Sequence, residues 1–215
     1  MTRLFDLLYH QVENLPNNTA VSSRDASGKW IYYSSQDVLE AAEQAASGLV
    51  KAGLRPGEKV AIVSYKNRPE WLIMDFAIQM AGGISIPLYP TISIGEYEYI
   101  LNEAEVKMAF CGALDLYDKL RAAQKTTPTL KHIYTFDSHP DRPFWKDIFD
   151  TEGISALQPI KDSIKDSDLV TIIYTSGTTG NPNGVMITHS NIMLVMLETS
   201  NVLKTDDGDP VWRFL

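Results

Sequence analysis

Tyr174-Thr175-Ser176-Gly177-Thr178-Thr179-Gly180-Asn181-Pro182-Asn183-Gly184 is the densest run of hydroxyls and glycines in the chain. Two apolar, β-branched runs flank it: Leu169-Val170-Thr171-Ile172-Ile173 before, and Val185-Met186-Ile187-Thr188 after. Flanks of that kind read as strands, which makes the run a loop joining two strands. Gly177, Gly180 and Gly184 can take positive φ and let the backbone approach a ligand closely. Successive N–H groups in such a loop form a nest for an anion. The hydroxyls of Thr175, Ser176, Thr178 and Thr179 add donors that rotate to meet an oxygen-rich partner. A polyphosphate suits this chemistry; a glycine-rich hairpin turn with no ligand is the other reading, and the residues alone leave both open. A Walker A loop is excluded. That motif runs glycine, four residues, then Gly-Lys-Ser/Thr into a helix, whereas here Pro182 stands five positions after Gly177 and Val185 five after Gly180.

Upstream of this loop the chain alternates. Apolar strands are expected near Val60–Val63, Ile84–Pro87, Met108–Cys111 and His132–Thr135, recurring about every 25 residues, with helices over 69–80, 94–103 and 114–124 between them. This spacing predicts βαβ units, so the fold class is α/β: a layered parallel (mixed) sheet with flanking helices. Continuous apolar strands fit burial on both faces. Before the first unit, Leu4, Leu7, Leu8 and Val12 mark an amphipathic helix over 3–14. Two short strands near Ala20–Ser22 and Lys29–Tyr33 then form a hairpin around Asp25-Ala26-Ser27-Gly28. Ser34 with Asp37, and Ser93 with Glu96, have the spacing of capping boxes. Gly53 sits where the alanine-rich helix after Ser34 should stop. Residues 35–136 are thus read as the βαβ units, 137–168 as a surface excursion, and 169–204 as the loop unit with a helix capped by Thr188 or Ser190. Val211-Trp212-Arg213-Phe214-Leu215 reads as the start of another buried strand, which suggests a longer polypeptide.

The chain has 215 residues, 44% of them hydrophobic and 21% charged, an ordinary globular composition. Its net charge is −8 and no cluster of Lys and Arg appears, so nucleic acid is not an expected partner. Cys111 is the lone cysteine, which fits a reducing compartment. The N-terminus lacks a basic stretch followed by an apolar run, and no apolar run reaches the ~18 residues of a membrane span. The expected location is cytoplasmic, with peripheral contact to a membrane left open.

Continued through Val185-Met186-Ile187-Thr188-His189-Ser190-Asn191, the loop resembles the signature of the adenylate-forming enzymes, Tyr-Thr-Ser-Gly-Thr-Thr-Gly-x-Pro-Lys-Gly-Val, and departs from it at one fixed position. These enzymes include acyl-CoA synthetases, luciferases and peptide-synthetase adenylation domains. Trp30–Ser34, Asn67-Arg68-Pro69-Glu70-Trp71, Ala81–Thr91, Glu96–Asn102 and Trp212–Leu215 follow in the right order and look most like the long-chain fatty acid–CoA ligase branch. The resemblance implies that residues 1–215 are the N-terminal part of an AMP-binding domain, without the C-terminal domain. It implies a fatty acid, ATP and coenzyme A as substrates and Mg²⁺ as cofactor, with an acyl-adenylate as intermediate and pyrophosphate released. It assigns Thr175, Ser176, Gly177, Thr178, Thr179, Gly180, Asn183 and Gly184 to the phosphates and places no catalytic residue in these 215. The departure is Asn183, where the family has lysine: a donor remains and a full charge is lost. A non-catalytic nucleotide-binding or interaction domain, and an enzyme acting on another carboxylate, are the alternatives.

Outside the loop, His189 divides evenly between a pocket-lining role and an ordinary first-turn residue. Asp206, Asp207 and Asp209 lack EF-hand spacing and read as a solvated turn. Arg68 could meet an anion, although surface packing is the better reading, and Trp71 reads as core. Cys111 reads as an inert buried thiol. Met193, Met196 and Leu197, at i, i+3 and i+4, read as core.

Overall fold

A computed structural model describes residues 2–24, 27–175 and 180–202. Helix α1 (Asp6–Asn14) is followed by a two-stranded antiparallel ribbon, β1 (Val21–Arg24) and β2 (Trp30–Tyr33). Ser34 then closes a capping box on α2 (Ser35–Lys51): its hydroxyl accepts from the Asp37 N–H at 3.1 Å, and the Asp37 carboxylate accepts from the Ser34 N–H at 2.8 Å. The helix ends at Gly53, whose φ of 97° is open to glycine and costly to other residues. Next come β3 (Lys59–Val63), α3 (Pro69–Met80), β4 (Ile84–Leu88), α4 (Ile94–Glu103), β5 (Met108–Cys111), α5 (Leu114–Gln124) and β6 (His132–Thr135). Ser93 and Glu96 cap α4 as their spacing predicts.

These strands and two more, β7 (Leu169–Thr175) and β8 (Asn183–Thr188), make one six-stranded sheet in the order β6-β5-β3-β4-β7-β8. Every pairing is parallel except β7 with β8. The strand order reverses between β3 and β4. Right-handed crossovers that leave in opposite directions put their helices on opposite faces. Accordingly α3 joins α2 on one face, over Val60, Ile62, Met108 and Phe110, and α4 and α5 cover the other, over Ala61, Val63, Ala109 and Cys111. Alternate residues of β3 and β5 therefore serve two cores, which is why both strands are apolar throughout.

The connector over 137–168 is mostly exposed, but it sends a few side chains into the core. It must carry the chain from β6 back across the sheet to β7, and the same handedness brings it over the α2–α3 face. Trp145 and Leu157 are buried there, and Trp145 meets Phe136 and Phe149 edge-on at 5.7 and 4.9 Å. Gly48 of α2 makes room for it: a Cβ at that position would lie 1.7 Å from the Ile148 carbonyl oxygen.

The final described element is α7 (His189–Val202). Thr188 caps it: the Thr188 hydroxyl accepts from the Asn191 N–H, and the Asn191 side chain accepts from the Thr188 N–H. Met193 is buried, but Met196 and Leu197 are 43% and 59% exposed, so two of the three residues read as core are surface residues among the described residues. The helical period locates one face of α7; it does not say what lies against that face. Asp206, Asp207, Asp209 and the expected strand over 211–215 lie outside the described residues, as do Asp25 and Ala26.

Candidate functional site

Strands β7 and β8 are the two strands expected around the glycine-rich loop, and they pair antiparallel. Because β7 runs parallel to β3, β4, β5 and β6, the loop emerges at the carboxyl ends of the sheet, the end at which open α/β sheets bind their ligands. The register pairs Thr175 with Asn183 and Tyr174 with Gly184. Directly opposed residues share a face, with Cβ atoms ~5 Å apart. The Thr175 hydroxyl and the Asn183 amide therefore leave the mouth of the loop side by side, and both residues are exposed. Ser176, Gly177, Thr178 and Thr179 lie outside the described residues.

Gly180 has φ of 108°, the left-handed backbone expected of a loop glycine. Gly184 has a different reason to be glycine. It lies in the extended ladder of β8, and a Cβ there would come within 2.9 Å of Ile172 Cγ2 and 3.1 Å of Tyr174 Cζ. The Tyr174 ring lies in that space. It is 4% exposed, and its hydroxyl donates to the Glu103 carboxylate at the end of α4. One arm of the loop is thus fixed to the α4 side of the core by Tyr174, and the other is held close against it by the missing side chain at Gly184.

Residues that follow other parallel strands share this end of the sheet: Tyr65, Lys66 and Asn67 after β3, and Tyr89 after β4. Tyr65 and Tyr89 are 50% and 61% exposed, and the Tyr65 hydroxyl donates to Asp115 at 2.6 Å. Asn67 and Tyr89 fall in stretches of the family resemblance that assign them no role, and Tyr65 and Lys66 fall in none; their place directly after a parallel strand is the signal that could have found them. Arg68 belongs to the same end but is engaged. It donates to Asp137 at 2.8 Å and to Glu70 at 2.9 Å and stacks over Phe136. Burial alone would lower its pKa, and the two carboxylates outweigh burial and raise it. Arg68 therefore works in an ion-pair network, as the packing reading had it.

His189 is far from the loop. Six residues of β8 at ~3.3 Å each separate it from Asn183, about 20 Å. Its Nδ1 accepts from the Leu4 N–H at 3.1 Å, its backbone N–H donates to the Asp168 carbonyl at 3.2 Å, and Phe5 meets its ring edge-on. Burial pushes the imidazole pKa down to about 4, against the raising effect of Asp168. It is a neutral tie between the N-terminal segment and the start of α7. Cys111 is likewise structural: burial raises its thiol to about 12, and the Sγ contacts the Tyr134 carbonyl. Such a thiol is no nucleophile.

Among the described residues no group of three or more His, Cys, Asp and Glu could hold a metal ion. Thr175 and Asn183 offer neutral donors, and the described part of the loop holds no lysine or arginine.

A family model described as AMP-binding enzyme matches residues 8–215. The chain is 30% identical over 220 residues to long chain acyl-CoA synthetase 3 of Arabidopsis thaliana, covering 95% of this chain and 33% of that protein. It is 36% identical over 201 residues to fatty acyl-CoA synthetase B of Dictyostelium discoideum, covering 87% and 29%. The chain therefore spans about a third of the length of these curated relatives. Among solved structures, a fatty acyl-adenylate ligase from L. pneumophila in complex with acyl adenylate and pyrophosphate has the same fold, with a TM-score of 0.73 at 20% identity over 96% of this chain and 34% of that one.

Proposed function

The chain belongs to the AMP-binding enzyme family, and from that premise we propose that the full-length protein is an ATP-dependent acyl-CoA synthetase of the long-chain fatty acid type. One observation carries this reading. Strands β7 and β8, which carry the two ends of the Tyr174–Gly184 signature stretch, pair antiparallel at the carboxyl ends of the parallel sheet, with Thr175 opposite Asn183. In the proposed reaction a fatty carboxylate oxygen attacks the α-phosphorus of ATP and pyrophosphate leaves. The thiol of coenzyme A then attacks the acyl carbon and AMP leaves. This chain's part is to hold the β- and γ-phosphates: Thr175, Ser176, Thr178 and Thr179 through hydroxyls, Gly177, Gly180 and Gly184 through close backbone approach, and Asn183 through its amide. Positioning and charge stabilisation dominate such chemistry. Mg²⁺ would shield phosphate charge there; among the described residues no group of three or more His, Cys, Asp and Glu could hold it.

We assign the two-thirds of the relatives' length not matched here the remainder of the site, so residues 1–215 alone do not turn over. Composition supports a cytoplasmic location. Asn183 favours a second reading, a nucleotide-binding module without catalysis, because it withholds the charge the family supplies. Pyrophosphate exchange separates the two. The synthetase reading requires fatty-acid-dependent exchange of labelled pyrophosphate into ATP by the full-length protein and none by residues 1–215. Nucleotide binding without exchange in the full-length protein would establish the second reading and refute the first.

A further inference from the structure

The registers of the sheet set a polar row along its carboxyl edge. Val63 of β3 pairs with Leu88 of β4, and Ser85 of β4 pairs with Thr171 of β7. Carried three residues on, the second register sets Leu88 beside Tyr174. The packing agrees: Val63, Leu88 and Tyr174 are buried in one core, together with Ile86 and Ile172. One residue further, just past the ends of β3 and β4, side chains turn to the opposite face. There Ser64 stands beside Tyr89, Tyr89 beside Thr175, and Thr175 beside Asn183. Neighbouring strands are ~4.8 Å apart, so Tyr89 is about as close to Thr175 as Asn183 is. Tyr89 also lies between two marks of a ligand site. On one side the strand order reverses, between β3 and β4; on the other are the two ends of the signature stretch, on β7 and β8.

Tyr89 is both available and held in place. It is 61% exposed, and its phenol has no hydrogen-bond partner among the described residues. Its neighbours are occupied: the Tyr65 and Tyr174 phenols donate to Asp115 and Glu103, and the Ser64 hydroxyl donates to the Lys66 carbonyl at 2.9 Å. The backbone at Tyr89 is fastened by the helices behind it. The buried Tyr97 of α4 donates its hydroxyl to the Tyr89 carbonyl at 3.1 Å, and Lys119 of α5 donates to the carbonyls of Pro90 and Ile92 at 2.9 Å each. Lys119 lies 5.3 Å over the Tyr97 ring, which joins the two fastenings. The large side chain that they fix belongs to neither core.

We propose that Tyr89 contacts the ligand of this site, its phenol O–H donating to the outer phosphates of ATP beside Thr175 and Asn183. This rests on the reading of the signature stretch as a phosphate site. A tyrosine reaches further than threonine or asparagine. Its hydroxyl therefore meets an oxygen that stands off the edge of the sheet, while the two shorter side chains meet oxygens nearer the backbone. Donation to an ionised oxygen is the stronger class of hydrogen bond, so a third neutral donor offsets part of the charge that Asn183 withholds.

The test is calorimetric titration of the full-length protein with ATP, pyrophosphate and AMP, comparing the natural sequence with Tyr89→Phe. The variant keeps the ring and removes only the O–H. It should bind ATP and pyrophosphate at least fivefold more weakly and AMP equally well, with a melting temperature within a degree of the natural one. A merely structural role would not separate ATP from AMP. Equal ATP affinity in the two proteins would overturn the proposal and leave the phosphate reading standing. Equal weakening of ATP and AMP would also overturn it, because the contact would then lie away from the outer phosphates. A natural protein that binds neither ATP nor pyrophosphate would refute the phosphate reading itself, and the role of Tyr89 with it.

Discussion

Acid should loosen the chain through His189, and the size of the effect follows from the geometry. The imidazole is 2% exposed, and its Nδ1 accepts the Leu4 N–H; a protonated ring can no longer accept there. Its pKa falls from an ordinary 6.5 to about 4, chiefly through burial. Between those values the unfolded chain binds a proton that the folded chain refuses, so stability is whole above about pH 6.5 and declines as the pH drops toward 4. A gap of about 2.5 pH units at ~1.36 kcal/mol each gives ~3 kcal/mol as an upper figure. The assay is urea denaturation at intervals from pH 7.5 to 4, comparing the natural sequence with His189→Gln. The variant keeps a neutral acceptor that does not titrate. Acidic groups elsewhere titrate equally in both proteins, so the difference between the curves isolates His189. It should open by ~2–3 kcal/mol toward pH 4. Parallel curves over the whole range would refute the account of His189 as a buried neutral tie.

Asn183→Lys should restore the charge the loop lacks. At ~4 Å and an effective dielectric near 20, one unit pair amounts to roughly 4 kcal/mol before solvent screening, so calorimetric titration should show ATP binding tighter by tenfold or more. Unchanged affinity would mean that the loop does not hold phosphate. Gly48→Ala should destabilise by ~3 kcal/mol or more, because the new Cβ meets the backbone oxygen of Ile148, which has little room to retreat; a melting temperature within a degree of the natural one would contradict this packing. Asp75 accepts from Ser85 and Gln79, and burial raises its carboxyl to about 6 against those bonds. The folded form therefore holds its proton more tightly than the unfolded chain, and stability from this group is full below about pH 4 and lost as the pH climbs through 6. Asp75→Asn should remove that decline, ~3 kcal/mol at most, from denaturation curves between pH 4 and 8.

Most of the architecture was legible because local and global signals agree. Capping boxes at Ser34 and Ser93, the doubly buried strands β3 and β5, and the return of strand and helix at a fixed spacing each point to one parallel sheet. Two kinds of information were not local. One is what lies across from an element. Gly48 interrupts an alanine-rich helix at a cost of ~1 kcal/mol, and its cause is a backbone turn about a hundred residues later that the helix itself does not encode. The exposure of Met196 and Leu197 is the same problem with opposite sign. The other is where an element sits in the sheet. His189 and the loop are near neighbours in sequence, yet the length of β8 sends them to opposite ends, so adjacency to the signature motif said nothing about the histidine's role.

Gly184 shows packing that a motif reading does not supply. The expectation was conformational freedom next to a ligand. The structure gives extended backbone, which any residue adopts, and a side-chain position already filled by the Tyr174 ring. Tyr174 in turn is anchored by Glu103, outside the motif. The tyrosine that opens the signature and the glycine near its close are therefore one packing unit, and Thr175 and Asn183 keep their register because that unit closes the base of the loop. Gly184→Ala tests the linkage. Overpacking of this kind costs ~1–3 kcal/mol, and the strand that must shift carries Asn183. ATP affinity should fall with stability, and Tyr174→Leu in the same chain, which vacates the space, should recover part of both. If Gly184→Ala leaves stability unchanged and alters only nucleotide binding, the glycine acts on the ligand directly and the packing account fails.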